Sequence, residues 1–279
     1  MEIAPRYDGP PAMTIDGAAD DQRVTVIRQR RRMVDVFTDL TDDEWRSPSR
    51  CEGWTAQDVV AHLVGTNGFF QASILAGLAG APTRYLATGF DPKATPAGMV
   101  DAMRSMTPAE TLARFAESTD GLCEVLGSIA GDAWSRIAES PAGAVPIRLV
   151  AFHALWDSWV HERDILLPLG VTPIEEPDEV LACVRYAAAI GPALVAAPDG
   201  RQGALVLEVT DPTAHVVVEV SDVVRVHDGP PPAGALTLRG RAAELTDALS
   251  TRAPLDQHVP DDQRWLLAGL ADIFEVERT

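Results

Sequence analysis

Two apolar runs with imidazole and carboxylate groups set inside them constrain this chain more than any other feature. The first is Cys51-Glu52-Gly53-Trp54-Thr55-Ala56-Gln57-Asp58-Val59-Val60-Ala61-His62-Leu63. The second is His153-Ala154-Leu155-Trp156-Asp157-Ser158-Trp159-Val160-His161-Glu162-Arg163-Asp164. Each reads as a helix. Asp157 and His161 are four residues apart, so they share one helical face about a turn from each other. Polar groups aimed at a core cost free energy unless something satisfies them. A divalent metal held by His62, Asp157 and His161 would do so.

Three protein ligands with an open position is the arrangement of a catalytic divalent site, most simply Zn²⁺. Facing helices of a bundle commonly supply such ligands together. Asp58, four residues before His62, and Glu162, next to His161, are the expected supports that fix an imidazole tautomer. Plainer readings compete at each position. A lone helical histidine such as His62 is usually packed or on the surface. His153 lies on the same stripe as Asp157 and reads as a substrate contact or a hydrogen-bonded core residue. His215, His227 and His258 read as surface groups, and Trp54, Trp156 and Trp159 as packing. No phosphate loop, dinucleotide fingerprint or nucleophile elbow occurs, which counts against a common serine hydrolase.

The pattern of helix starts organises the rest. Apolar positions over 21–40 give a first amphipathic helix, and Thr55-Ala56-Gln57-Asp58 opens a second with a capping-box-like start. Thr107-Pro108-Ala109-Glu110 opens a third, with proline at the first helical position. Val145-Pro146 opens a fourth, which runs to about Leu167. Residues 79–106, with Pro82, Pro92 and Pro96, read as a long crossover, and four long helices with one such connection imply a four-helix bundle. Beyond Pro168 an Ala-rich helix over 177–196 is followed by Ala204–Val209 and His215–Val220, a hairpin around Asp211-Pro212-Thr213. Short strands are expected at Val223–Val226 and Ala235–Leu238, and helices at Gly240–Leu249 and Asp262–Phe274. The expected fold class is therefore α+β: a flexible tail over 1–20, a metal-binding bundle over 21–170, and a smaller α+β domain over 171–279 with a short antiparallel sheet.

A formal charge of −18 argues against nucleic acid as a partner, because phosphate binding needs clustered Lys and Arg. Arg30, Arg31 and Arg32 do cluster, but acidic residues follow closely, and the triplet reads as a solvated helix face. The three cysteines are widely spaced and odd in number, which is no disulfide framework and fits a reducing compartment. Neither a basic-then-apolar N-terminus nor an unbroken apolar span is present, so the expected location is cytoplasmic with no membrane partner. Oligomeric state is left open.

Gly53-Trp54-Thr55 with Asp58-Val59-Val60-Ala61-His62-Leu63 resembles the signature of the mycothiol-dependent maleylpyruvate isomerase family, within the DinB-like superfamily. Asp157 to Ile165 is similar to that family's second signature. Leu236 to Leu245, running on to Arg252, is similar to its C-terminal domain. The resemblance implies a DinB-like bundle with a divalent metal on His62, Asp157 and His161, and mycothiol as the thiol cosubstrate. Asp157 stands where the family often has the longer Glu. The resemblance also implies an arginine from the C-terminal domain near the cleft, with Arg252 preferred and Arg241 second. The expected activity is addition of a metal-activated thiolate to a small electrophile, such as an unsaturated carboxylate, giving isomerisation or S-transfer. A metal-dependent hydrolase and a non-catalytic binding or regulatory module are the alternatives.

Overall fold

The described N-terminal residues dock on the body of the protein rather than forming a tail. In the computed structural model, which describes residues 3–16 and 22–276, β1 (Met13–Ile15) pairs in parallel with a strand from the far end of the sequence. Ile3 bridges Phe90, and the Tyr7 hydroxyl donates to the buried Glu139 carboxylate. The flexible tail expected over 1–20 is thus corrected for residues 3–16. Ile3, Met13 and Ile15 are buried, and removing that apolar surface from water stabilises the docked segment.

The bundle helices are α1 (Arg23–Thr38), α3 (Ala56–Leu78), α5 (Pro108–Ser128) and α6 (Ile147–Leu166), with the single-turn α2 (Asp42–Trp45) between the first two. Thr55 and Thr107 each accept from the backbone N–H three residues on, while Asp58 and Glu110 reach back to the cap residue. These boxes satisfy donors that the helix itself cannot. The crossover holds an unforeseen helix, α4 (Ala94–Asp101). Pro96 lies in its first turn, where a missing N–H costs nothing. A hairpin of β2 (Ile137–Ser140) and β3 (Gly143–Pro146) then leads into α6.

Next, α7 (Pro177–Gly191) runs into a π turn over Pro192–Ala196. Pro192 offers no backbone donor, so the α-helical ladder stops short of the expected residue 196. Four further strands follow: β4 (Gly203–Thr210), β5 (Thr213–Val220), β6 (Val224–His227) and β7 (Leu236–Gly240). Sheet order is β1-β6-β5-β4-β7. The central three strands are antiparallel, as the hairpin pattern implies, but both edge strands are parallel to their neighbours, so the sheet is mixed. The chain closes with α8 (Ala242–Leu249) and α9 (Trp265–Phe274).

One apolar cluster runs from the bundle (Phe70, Leu122, Phe152) through α7 (Val184, Ile190) to the sheet (Leu205, Val218, Leu238). α3 and α7 are long and apolar, and α7 is almost wholly packed inside the molecule. A second cluster, with Phe37, Trp45, Val59, Leu63, Phe115 and Ile165, closes the other end of the bundle. Arg30, Arg31 and Arg32 are not one solvated face. Arg30 is 0% exposed, and Arg32 reaches inward to Glu162 and Glu179; only Arg31 faces solvent. α1 packs against α5, α6 and α7, so two of three consecutive positions must turn inward.

Candidate metal centre

α3 and α6 pass each other in antiparallel register. His62 meets His161 with ring centroids 4.8 Å apart, Thr66 meets Asp157, and Phe70 meets His153. Each is a step of four residues on both helices, the spacing that keeps side chains on one face. The loop before α3 is built for this approach. Gly53, with φ +75°, closes the turn in which Trp54 N–H donates to the Cys51 carbonyl. Trp54 then lies 5.5 Å from the His62 ring, and Thr55 caps α3. The Gly-Trp-Thr pattern thus has a mechanical reason at each position.

His62, Asp157 and His161 converge. One oxygen of Asp157, Oδ1, is 3.5 Å from His62 Nε2 and 3.6 Å from His161 Nε2, and the three ligand atoms lie within 4.8 Å of one another. For a tetrahedral ion with bonds of about 2.1 Å, neighbouring ligand atoms are separated by about 3.4 Å. The two distances from Asp157 Oδ1 to the imidazole nitrogens match that spacing. Asp157 reaches both imidazoles despite its short side chain, and Thr66 Oγ1 holds its other oxygen at 3.3 Å. The side chain of Asp157 keeps 11% exposure, so the cluster is approachable. His62 Nδ1 is buried without a partner, so only its Nε2 side is engaged.

Charge follows this geometry. Burial would raise the Asp157 carboxyl, but hydrogen bonding and charge from His62, with the charges of His161 and His153, hold it well below the ordinary range. Burial lowers the His62 imidazole. Burial would also lower His161, but Cys51, Asp164 and Asp157 outweigh it and lift the ring to about 10. His161 Nδ1 lies 2.9 Å from Asp164 Oδ2 and donates to it, which leaves Nε2 to face Asp157.

The supports differ from those expected. Asp58 is committed to the α3 cap and to Arg104, and Glu162 turns the other way, to Gln29 and Arg32. Asp164 takes the role instead. Arg50 Nε donates to its Oδ1 at 2.9 Å, Arg252 Nε lies 3.0 Å from both its oxygens, and the Cys51 thiol donates to Oδ2 at 3.1 Å. Cys51, His161 and Asp164 form a second cluster with metal-competent atoms. Two guanidinium groups on Asp164 already balance its charge, which disfavours a cation there. Asp164 lies three residues after His161 on the same helix, a signal the sequence did carry.

Arg252 is brought to this site by the end of α8. Arg252 N–H donates to the Asp247 carbonyl at 2.8 Å and Thr251 N–H to Ala248, the double return of a Schellman ending. Thr251 takes φ +62°, a left-handed conformation unfavourable for a β-branched residue. Ser250 accepts from Trp156 Nε1 at 2.9 Å, tying this turn to α6. Each Arg252 nitrogen has a partner: Asp164, Ser250 with Thr251, and Cys51. Arg241 is not part of the assembly; it pairs with Asp211 and Glu175 at an exposed position. His215 and His227 pair with Glu208 and Glu219 on the sheet, Trp159 is buried under Arg163, and Trp54 and Trp156 flank the cluster.

Comparison with known proteins supports the fold. A family profile described as the mycothiol maleylpyruvate isomerase N-terminal domain matches residues 26–166. No curated protein sequence matches the chain significantly. Among solved structures, a crystal structure of a mycothiol-dependent maleylpyruvate isomerase is similar in fold, with a TM-score of 0.62 at 17% identity over 89% of this chain and 98% of that one. A histidine-to-alanine mutant of a mycothiol-dependent maleylpyruvate isomerase gives 0.60 at 17% identity, covering 86% of this chain and 93% of that one. YfiT from Bacillus subtilis, described as a probable metal-dependent hydrolase with an unusual four-helix bundle topology, gives 0.43 at 18% identity, over 60% of this chain and 95% of that one.

Proposed function

The chain belongs to the mycothiol maleylpyruvate isomerase family, and from that premise we propose that it is a metal-dependent enzyme acting with mycothiol on a small electrophilic substrate. The observation that carries this reading is the convergence of His62 Nε2, Asp157 Oδ1 and His161 Nε2 on one approachable point. Zinc is the simplest ion for two imidazoles and a carboxylate. When bound, the ion would favour the thiolate form of the thiol, whose reversible addition to a conjugated double bond permits cis–trans isomerisation or, where the adduct persists, S-transfer.

The residues of the chain have separate tasks in this reading. Asp164 accepts the Nδ1 proton of His161 and so leaves Nε2, once deprotonated, as the ligand atom. Arg50 and Arg252 hold Asp164 in place. Arg252 also sets positive charge beside the cleft, where it draws a substrate carboxylate; to bind through Nη2 the carboxylate displaces the Cys51 contact. Trp54 and Trp156 supply apolar walls on which a small unsaturated substrate can lie.

The test is turnover of maleylpyruvate by protein supplied with zinc and mycothiol together, separately or not at all. The reading expects product only with both, and none from His62→Ala. Cleavage of the substrate by water without any thiol would identify a hydrolase, and retained activity in His62→Ala would remove the metal from the account.

A further inference from the structure

The polar stripe of α6 does not end at Asp157. One turn earlier, about 6 Å along the helix, lies His153, whose ring packs against Phe70, Trp156 and Tyr186 with centroids 5.5, 5.4 and 5.3 Å away. His153 Nδ1 is 2.6 Å from the Tyr186 hydroxyl. That hydroxyl is fully enclosed, and burial with the nearby Asp157 charge pushes its pKa well above the ordinary value, so it remains an O–H donor. A donor on Nδ1 makes that nitrogen the acceptor and leaves the ring proton on Nε2. Burial also lowers His153 to about 4, which keeps the ring uncharged near neutral pH. Nε2 has no protein partner among the described residues, yet it is not one of the enclosed unsatisfied atoms, and His153 keeps 8% exposure. Its N–H therefore keeps access to solvent on the helix stripe that carries Asp157.

We infer that Tyr186 and His153 form a fixed hydrogen-bond donor of this site, with His153 Nε2–H presented to an oxygen of the substrate one helical turn from Asp157. The inference rests on the proposed function for its substrate class, a conjugated carbonyl or carboxylate. It explains why a tyrosine buried in an apolar cluster aims its hydroxyl at a histidine rather than at a backbone carbonyl. Negative charge that such an electrophile collects on oxygen is best met by a donor already oriented toward it. A neutral imidazole serves as that kind of donor where its protonation is suppressed. Arg252 would then hold one end of the substrate and His153 another.

The test uses the full chain loaded with zinc and labelled with ¹⁵N in its imidazole rings. Maleate, a cis-unsaturated dicarboxylate that chelates zinc weakly, serves as the probe. The expected spectrum has His153 as the single Nε2–H tautomer, its resonance shifting saturably with maleate. Tyr186→Phe should yield a mixture of tautomers. His153→Phe should weaken maleate about tenfold, while His153→Gln, which places an amide N–H near the Nε2 position, should retain more of the affinity. Thermal stability should rank the other way, because the aromatic cluster accepts Phe more readily than Gln. A ring proton on Nδ1, or equal maleate affinity in wild type and His153→Phe, overturns the inference. Absence of thiol-dependent turnover would sink the proposed function without altering these results.

Discussion

Two ionic clusters lie on opposite sides of α6, and neighbouring residues feed them. On one side Glu162 accepts from Gln29 and Arg32, and the 0% exposed Glu179 of α7 accepts from Arg28 and Arg32. Each carboxylate there is met by guanidinium or amide donors. On the other side His62, Asp157 and His161 bring three donor atoms together with no guanidinium or ammonium group bonded to any of them among the described residues, and His62 Nδ1 is left without a partner. Residue types alone do not separate these regions. Completeness of pairing does. The first cluster is satisfied by the protein and joins α1, α6 and α7; the second is the candidate site that the proposed metal ion would complete.

The comparison can be broken by attacking each cluster in turn. Glu179→Ala should have the largest effect, a loss of about 3 kcal/mol, because it removes the buried carboxylate shared by Arg28 and Arg32 and leaves Arg32, inside the protein, with Glu162 as its remaining acid. Urea unfolding would measure it, and zinc stoichiometry should be unchanged; loss of zinc as well would merge the two regions. A pH comparison comes next. His153 is depressed to about 4 from an ordinary 6.5, so on acidification the unfolded chain takes up the proton first. Its contribution to stability is therefore complete above about pH 6.5 and is lost as the pH falls toward 4, by on the order of 3 kcal/mol. The Asp157 charge opposes this shift in part. Wild type should lose more stability than His153→Phe between pH 7 and pH 4.5; parallel curves would refute the burial argument.

Asp164→Asn should weaken zinc about 10–100-fold, the usual range for a residue that orients a metal-binding histidine. Titration calorimetry would read it, and an unchanged affinity would return Asp164 to a purely structural part with Arg50 and Arg252. Thr251→Gly is the smallest change expected. Glycine relieves the left-handed strain at the end of α8, against its larger entropy on unfolding, for a net gain of about 0.5–1 kcal/mol. Denaturant midpoints would show the gain, and a loss would mean that the Thr251 side chain contributes more than its backbone costs.

What could be read in advance follows the range of the interaction. Helix starts at Thr55 and Thr107 are local, and the caps lie where the spacing of Thr and acid placed them. The Asp157–His161 step is local too, and α6 carries both groups to one face. The supports were not legible from adjacency: Glu162, next to His161, turns to Gln29 and Arg32, and Asp58, four residues before His62, has two possible uses. The helix N-terminus claims it, and Asp164 gains its role from Arg50 and Arg252, 114 and 88 residues away in the chain. β1 was not legible, since three residues at a sheet edge take their pairing from β6. Arg30 was misread for a related reason: whether a charged residue faces water depends on which helices pack around α1.

The central claim is that the α3–α6 cluster is a site for one divalent ion and the α1–α6–α7 cluster is not. The direct measurement is elemental analysis of untagged protein after zinc is offered and excess removed, with wild type beside His161→Ala and Glu179→Ala. The account predicts about one zinc per chain in wild type and Glu179→Ala, and none in His161→Ala. Wild type without zinc, or His161→Ala with its zinc intact, would contradict it.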